Sequence, residues 1–137
     1  MRRERGQSVT ELAMTAGFLC LMLLAVWQVG TVFANFIDLS EAARSGARAA
    51  ALSGAPTTTG DTVSLTNAQT QGRAAALNSA SVPGMAVTIS AIGTWTAGSK
   101  VRATVTAPYS LSLFGISVSS GTMSVTDDMR VQRLGAA

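Results

Sequence analysis

Glu11 stands where a carboxylate is expensive. The chain opens MRRERGQSVTELAMTAGFLC, with Arg2, Arg3 and Arg5 at its start, a glycine at position 6, and Glu11 directly before a long apolar run. A carboxylate carried to the centre of a bilayer costs roughly 2.5–3.5 kcal/mol on insertion scales, and less near the interface. Such a charge seeks a cation. The residues also offer a second use for it. Ser8-Val-Thr-Glu11 has the spacing of a capping box, in which Ser8 accepts from the Glu11 amide and Glu11 reaches back to Ser8, worth ~1 kcal/mol. Both uses, pairing and capping, are electrostatic, and neither is catalysis.

The rest of the inventory agrees. The 137 residues include no histidine, which removes the usual general base and the commonest transition-metal ligand. The seven acidic residues are dispersed, and Asp127 and Asp128 would face opposite sides of a strand. No catalytic residue, metal site or cofactor is expected. The lone cysteine, Cys20, lies within the apolar run, cannot form an internal disulfide and reads as a small hydrophobe. Leu19 precedes it, where a lipoprotein signal needs a small residue. The net charge is +3, and Arg2, Arg3 and Arg5 against Glu4 supply +2 of it within five residues. No basic face interleaved with aromatics follows, so nucleic acid is not an expected partner.

These charges must be positioned by the helix that follows. Residues 12–37, 26 positions, carry no charge. As a helix they reach about 39 Å, more than a ~30 Å hydrocarbon core. Gly17, Gly30, Thr15, Thr31, Gln28 and Asn35 dilute the run and suit helix contacts better than lipid. Arginines precede it, whereas Asp38 and Glu41 follow it ahead of Arg44 and Arg48. The positive-inside bias then keeps the N-terminus in the cytoplasm and sends the C-terminal part out, a single pass of the cytoplasmic membrane. A secretory signal peptide is the competing reading, with Val32-Phe33-Ala34 as a loose cleavage motif, but the run is too long for it and Glu11 sits where the apolar region should begin.

Basic tail, glycine, four uncharged residues, glutamate and apolar helix together resemble the start of type IV prepilin-like proteins. The N-terminal third is similar to the TadE-like family of tight-adherence (Flp-type) pilus proteins: RERGQSVTELA resembles its opening, NFIDLSEAARSGARAAALSG its alanine-arginine stretch, and VRATVTAPYSL a strand ending in Pro-Tyr. With the apolar run between the first two, these cover about half the chain, and residues 55–66 match nothing in it. The resemblance implies that residues 1–6 are a leader removed by a prepilin peptidase after Gly6. Gln7 becomes the new N-terminus, and Glu11 pairs with the N-terminal amine of a neighbouring pilin or pseudopilin subunit.

Beyond the run, the absence of proline and six alanines continue the helix, so a single helix is expected from about Val9 to Leu52, ended by Ser53-Gly54-Ala55-Pro56. Residues 7–37 would span the membrane and 38–54 would form a stalk with an alanine-rich flank. Glu41 can meet Arg44 at i+3, and Arg44 and Arg48 are candidate stalk contacts for other subunits. Residues 55–137 would form the head. Pro56-Thr-Thr-Thr-Gly60 reads as a loop. A short helix is expected over residues 67–79, capped by Asn67 or Thr66, with Leu77, Ala68, Ala74, Ala75 and Ala76 as burial candidates. Alternating patterns about Val87–Ala91, Val101–Ala107 and Met123–Val131, the last ahead of Gln132, predict three antiparallel strands. Pro108-Tyr109 through Phe114-Gly115 reads as an interrupting loop, either a plug for the core or a subunit or membrane-surface contact. Trp27 is a candidate interface anchor, and Trp95 either a core lid or an exposed contact. The fold class is α+β and pilin-like.

The expected function is that of a TadE-like minor pilin or pseudopilin in tight-adherence pilus assembly, not an enzyme. Its alternatives are an unprocessed, membrane-anchored binding module and the main filament subunit.

Overall fold

A computed structural model describes residues 3–53, 56, 61–113 and 115–131, and for residues 3–6 and 113 the backbone alone. Arg2, the side chains of Arg3 and Arg5, most of the loop after Pro56, Phe114 and Gln132 carry expectations from the sequence and lie outside the described residues.

Helix α1 runs without a break from Arg3 to Leu52, 50 residues, or about 75 Å. No proline interrupts it, and it ends at the predicted place. It begins earlier than predicted. Ser8 therefore lies inside the helix, and the Ser8–Glu11 capping box is not formed. Helix α2, Thr62–Ser79, also starts earlier than expected. Its N-cap is Asp61, whose Oδ1 accepts from the amides of Val63 at 3.1 Å and Ser64 at 3.2 Å. Neither Asn67 nor Thr66 caps it. The β-branched Thr62 and Val63 hid the first turn, because an aspartate cap outweighs their weak propensity deficit.

The two helices meet through small residues. A Cβ built on Gly72 would stand 2.8 Å from the Ala50 Cβ and 2.8 Å from the Gly46 carbonyl oxygen. One built on Gly46 would stand 3.0 Å from the Ala76 Cβ. At Gly46 too, an added Cβ would crowd the facing helix. On α1, Ala42, Ala43, Ala47, Ala50 and Ala51 are all buried, so the alanine flank is the surface on which the head is built. On α2, Ala68, Gly72 and Ala76 are buried. Ala74 is exposed and Leu77 is 46% exposed, contrary to expectation, because the glycine face is the one that allows close approach.

Three antiparallel strands cover the other side: β1 (Ala86–Ile92), β2 (Lys100–Leu113) and β3 (Ile116–Arg130), in the order β1-β2-β3. Val87, Ile89, Val101, Ala103, Val105 and Ala107 point into the core. Trp95 is a core lid, 3% exposed, and donates from Nε1 to the Ser64 Oγ at 2.7 Å.

The predicted loop after Pro108 is not a loop. Strand β2 continues through Pro108 to Leu113 and pairs with β3 from Ala107↔Met123 to Leu113↔Ile116. Pairing with β1 ends at Thr106, and the turn before β1 crosses Pro108, whose Cγ lies 3.0 Å from where a Gly84 Cβ would be. Proline is accommodated because β2 has no neighbour on that side there. The result is a two-stranded ribbon projecting beyond the three-stranded sheet. Tyr109 lies across Gly121, where a Cβ would meet its ring at 2.9 Å. One extra β3 residue, Val118, makes a bulge where the register shifts between Leu111 and Ser112.

The helix seam makes a direct prediction. Gly72→Leu should destabilise the full chain in detergent by about 1–3 kcal/mol or more, as overpacking against backbone does. Thermal unfolding followed by circular dichroism reads this out. Gly30→Ala, whose added Cβ meets nothing within 4 Å, should leave the midpoint unchanged or slightly higher.

Candidate functional site

Residues 7–37 of α1 form the site the sequence pointed to. Helix Gln7–Leu52 holds a window long and apolar enough to cross a membrane, and none of that window is buried within the protein. Phe18, Leu23 and Trp27 are 58%, 69% and 73% exposed. Burial in the protein cannot account for such a surface, since contiguous apolar area of this size calls for lipid or a partner. Cys20 is a free thiol on this exposed surface. Among the described residues no group of acids and cysteines could hold a metal.

Gly6 and Gln7 lie within the first turns of α1. Glu11 is exposed, four residues on. Its main-chain carbonyl accepts from the Thr15 Oγ1 at 2.9 Å. Among the described residues, its carboxylate has no ion-pair partner. Arg44 and Arg48 are exposed, and Arg48 borders a shallow depression with Ala51, Leu52, Met129 and Arg130. Among the described residues Arg44 does not form the expected ion pair with Glu41. The structure thus places Glu11 near one end of the rod and Arg44 and Arg48 near the other, and does not bring them together.

One residue with a structural role was underrated. Gln28, read from sequence only as a break in the apolar run, donates its side-chain amide to the Ser112 carbonyl near the tip of the β2–β3 ribbon. It belongs to a half-buried stripe, Gln28, Val32 and Asn35, that leads into buried Leu39. The spacing of three and four residues keeps this stripe on one face of α1. A primary amide in the most apolar part of the run was the available signal, since such groups seek a polar partner.

A family model described as TadE-like protein matches residues 6–48. Over that span, somewhat under a third of the chain, the sequence is similar to TadE-like proteins. The match begins at Gly6, takes in Glu11 and the whole apolar run, and ends at Arg48 within the alanine-rich stretch. It is consistent with a membrane-associated component of a tight-adherence pilus, and the long apolar helix fits a single-pass anchor. No curated protein and no solved structure matches the chain.

The head's charge chemistry is sparse. Arg102 and Asp128 face each other across β2 and β3 in a bidentate pair, with Nε to Oδ1 at 2.7 Å and Nη2 to Oδ2 at 2.8 Å. Hydrogen bonding to Arg102 holds the Asp128 carboxyl below its ordinary range, and the same bond raises Arg102. A lowered carboxyl pKa contributes stability above the unfolded-state value, and that contribution is lost as pH falls through the folded-state value. The pair is solvent-exposed, so its effect is small. Asp128→Asn should lower the thermal midpoint slightly at neutral pH, and the two midpoints should converge in scans taken at pH below the ordinary carboxylate range.

Proposed function

We propose that this TadE-like protein is a minor pilin or pseudopilin of a tight-adherence pilus. Residues 1–6 act as a leader, a prepilin peptidase cuts after Gly6, and Gln7 becomes the mature N-terminus. The arginines keep the N-terminus cytoplasmic and the head outside. Residues 7–37 then hold the chain in the membrane, and residues 38–54 carry the head. The observation that carries this reading is the family match starting at Gly6 and including Glu11 on an unburied apolar helix.

Physical reasons support each step. A peptidase needs extended backbone, and glycine lowers the cost of unwinding a helix there by roughly 1 kcal/mol relative to alanine. Cutting after Gly6 creates an amine at Gln7. In a bundle of parallel α1 helices, a stagger of about 6 Å, four residues of rise, brings that amine level with a neighbour's Glu11. The pair relieves the insertion penalty of the carboxylate only when subunits associate, which makes Glu11 an assembly determinant. Arg44 and Arg48 are the stalk's cations for contact with neighbouring subunits. The protein acts through these contacts and not as an enzyme.

Intact-mass measurement of chain recovered from membranes of cells with a prepilin peptidase should give a polypeptide starting at Gln7. A chain that retains Arg2, Arg3 and Arg5 there would support an unprocessed anchored module instead. Glu11→Ala should insert in the membrane at the wild-type level but lose co-purification with partner subunits. Full co-purification of that variant would remove the pairing role.

A further inference from the structure

The β2–β3 ribbon extends past the sheet along α1, and its tip reaches the apolar run at Gln28. Gln28 lies nine residues before Ile37, the end of the uncharged run, or about 14 Å along the axis. The run exceeds a ~30 Å core by about 9 Å. Even with that whole excess on the head's side, Gln28 sits about 4–5 Å inside the apolar boundary, by the same helical rise. Trp27, 73% exposed beside it, is a residue type that gathers at that boundary.

The ribbon carries no charge over this length. From residue 103 to residue 126 there is no charged side chain. The charges resume at Asp127 and at the Arg102–Asp128 pair, at the far end of the hairpin. Near the tip, Ile116 and Val118 are 71% and 68% exposed. An isolated two-stranded ribbon is marginal in water. In apolar surroundings its difficulty is open backbone groups. The Gln28 amide caps one of these, the Ser112 carbonyl, and the tight turn at Gly115, with φ of +80°, closes the Leu113↔Ile116 pair. An amide that would be a liability on a lipid-facing helix is used to satisfy the ribbon's edge.

We propose that the β2–β3 tip is a second membrane-contacting element. In the membrane-resident protein, Ile116 and Val118 enter the headgroup–acyl boundary of the leaflet on the head's side, held at that depth by Gln28. The occupant of this apolar tip is lipid. Continuity with the unburied apolar surface of α1 favours it over another protein chain. The proposal rests on α1 spanning the bilayer and is independent of leader processing.

The test uses the full chain in phosphatidylcholine–phosphatidylglycerol vesicles at a low and a high protein-to-lipid ratio. Ile116→Cys and Thr126→Cys, each in a Cys20→Ser background, are labelled with an environment-sensitive fluorophore, and wild-type Cys20 reports on the helix. Lipids brominated near the headgroup should quench the label at 116 and not the label at 126. Reaction of an impermeant maleimide should be at least about tenfold slower at 116, as expected for a group buried at the boundary. Both results should hold at both ratios. Labelling at 116 as fast as at 126, with Cys20 reached by lipid quenchers placed deeper in the acyl chains, would overturn the tip proposal and leave the spanning helix standing. Protection at 116 that disappears on dilution in lipid would assign the cover to a second copy and also overturn it. Failure of the deeper lipid quenchers to reach Cys20 would overturn the spanning reading and the proposal with it.

Discussion

The close contact of Gly46 and Ala50 on α1 with Gly72 and Ala76 on α2 is the constraint on which the rest of the molecule depends. It lets two helix backbones approach until a single added Cβ would strike a carbonyl oxygen. The small head has few large buried side chains. Leu39, Val101, Val105 and Val131 are the largest of those fully buried. Packing at close range replaces bulk: many short contacts between small groups gain dispersion that loosely packed large groups would lose. The Ser45 hydroxyl reinforces the seam by bonding to that of Ser79 at 2.8 Å.

Because the seam lies on α1 itself, the head is fixed to the same rod that carries the apolar run. From Leu39 onward one face of the helix is protein core. Before it, the same stripe continues through Asn35, Val32 and Gln28 under the ribbon, while the other faces remain open. One element therefore presents an apolar surface to its surroundings and sets the height of everything attached to it. That arrangement suits a subunit whose neighbours are parallel copies or relatives. Glu11 and the Arg44–Arg48 pair of positions are separated by a fixed length of helix, so that in the proposed assembly registering one end would register the other.

Much of this was legible in the sequence where the signal is periodic and local. The helix end at Leu52 follows from the Ser53-Gly54-Ala55-Pro56 stop, the smooth flank from its alanines and the alternating faces of the three strands from spacing. The rod's earlier start was not legible, because Arg3 to Gln7 carry no periodic apolar signal. The start of α2 was hidden because Asp61 follows a threonine-glycine stretch that reads as loop, while the cap acts through a single side chain. The length of the hairpin was missed for a tertiary reason. Pro108 is a strand breaker only where both edges are paired, and that β1 stops short of it cannot be read from residues 108–115. The interleaved serines and leucines there alternate as a strand should, but serine is a weak strand former. Gln28 was visible as an anomaly, yet its partner, 84 positions away, was not. At Glu11, spacing suggested a cap that the early helix start removes, while the resemblance suggested by residues 3–13 meets a family match that begins at Gly6.

A fixed height for the head requires that α1 be one rigid rod through the join between apolar run and stalk. Pulsed electron resonance between spin labels at Leu19→Cys and Arg44→Cys, in a Cys20→Ser background and in lipid vesicles, measures it directly. Both positions are exposed, and a continuous helix separates them by about 38 Å of axial rise. A single narrow distance near that value, allowing for the label arms, is the predicted result. A broad distribution, or one shorter by many ångströms, would mean that the helix bends between membrane and head and holds no fixed registration between its two ends.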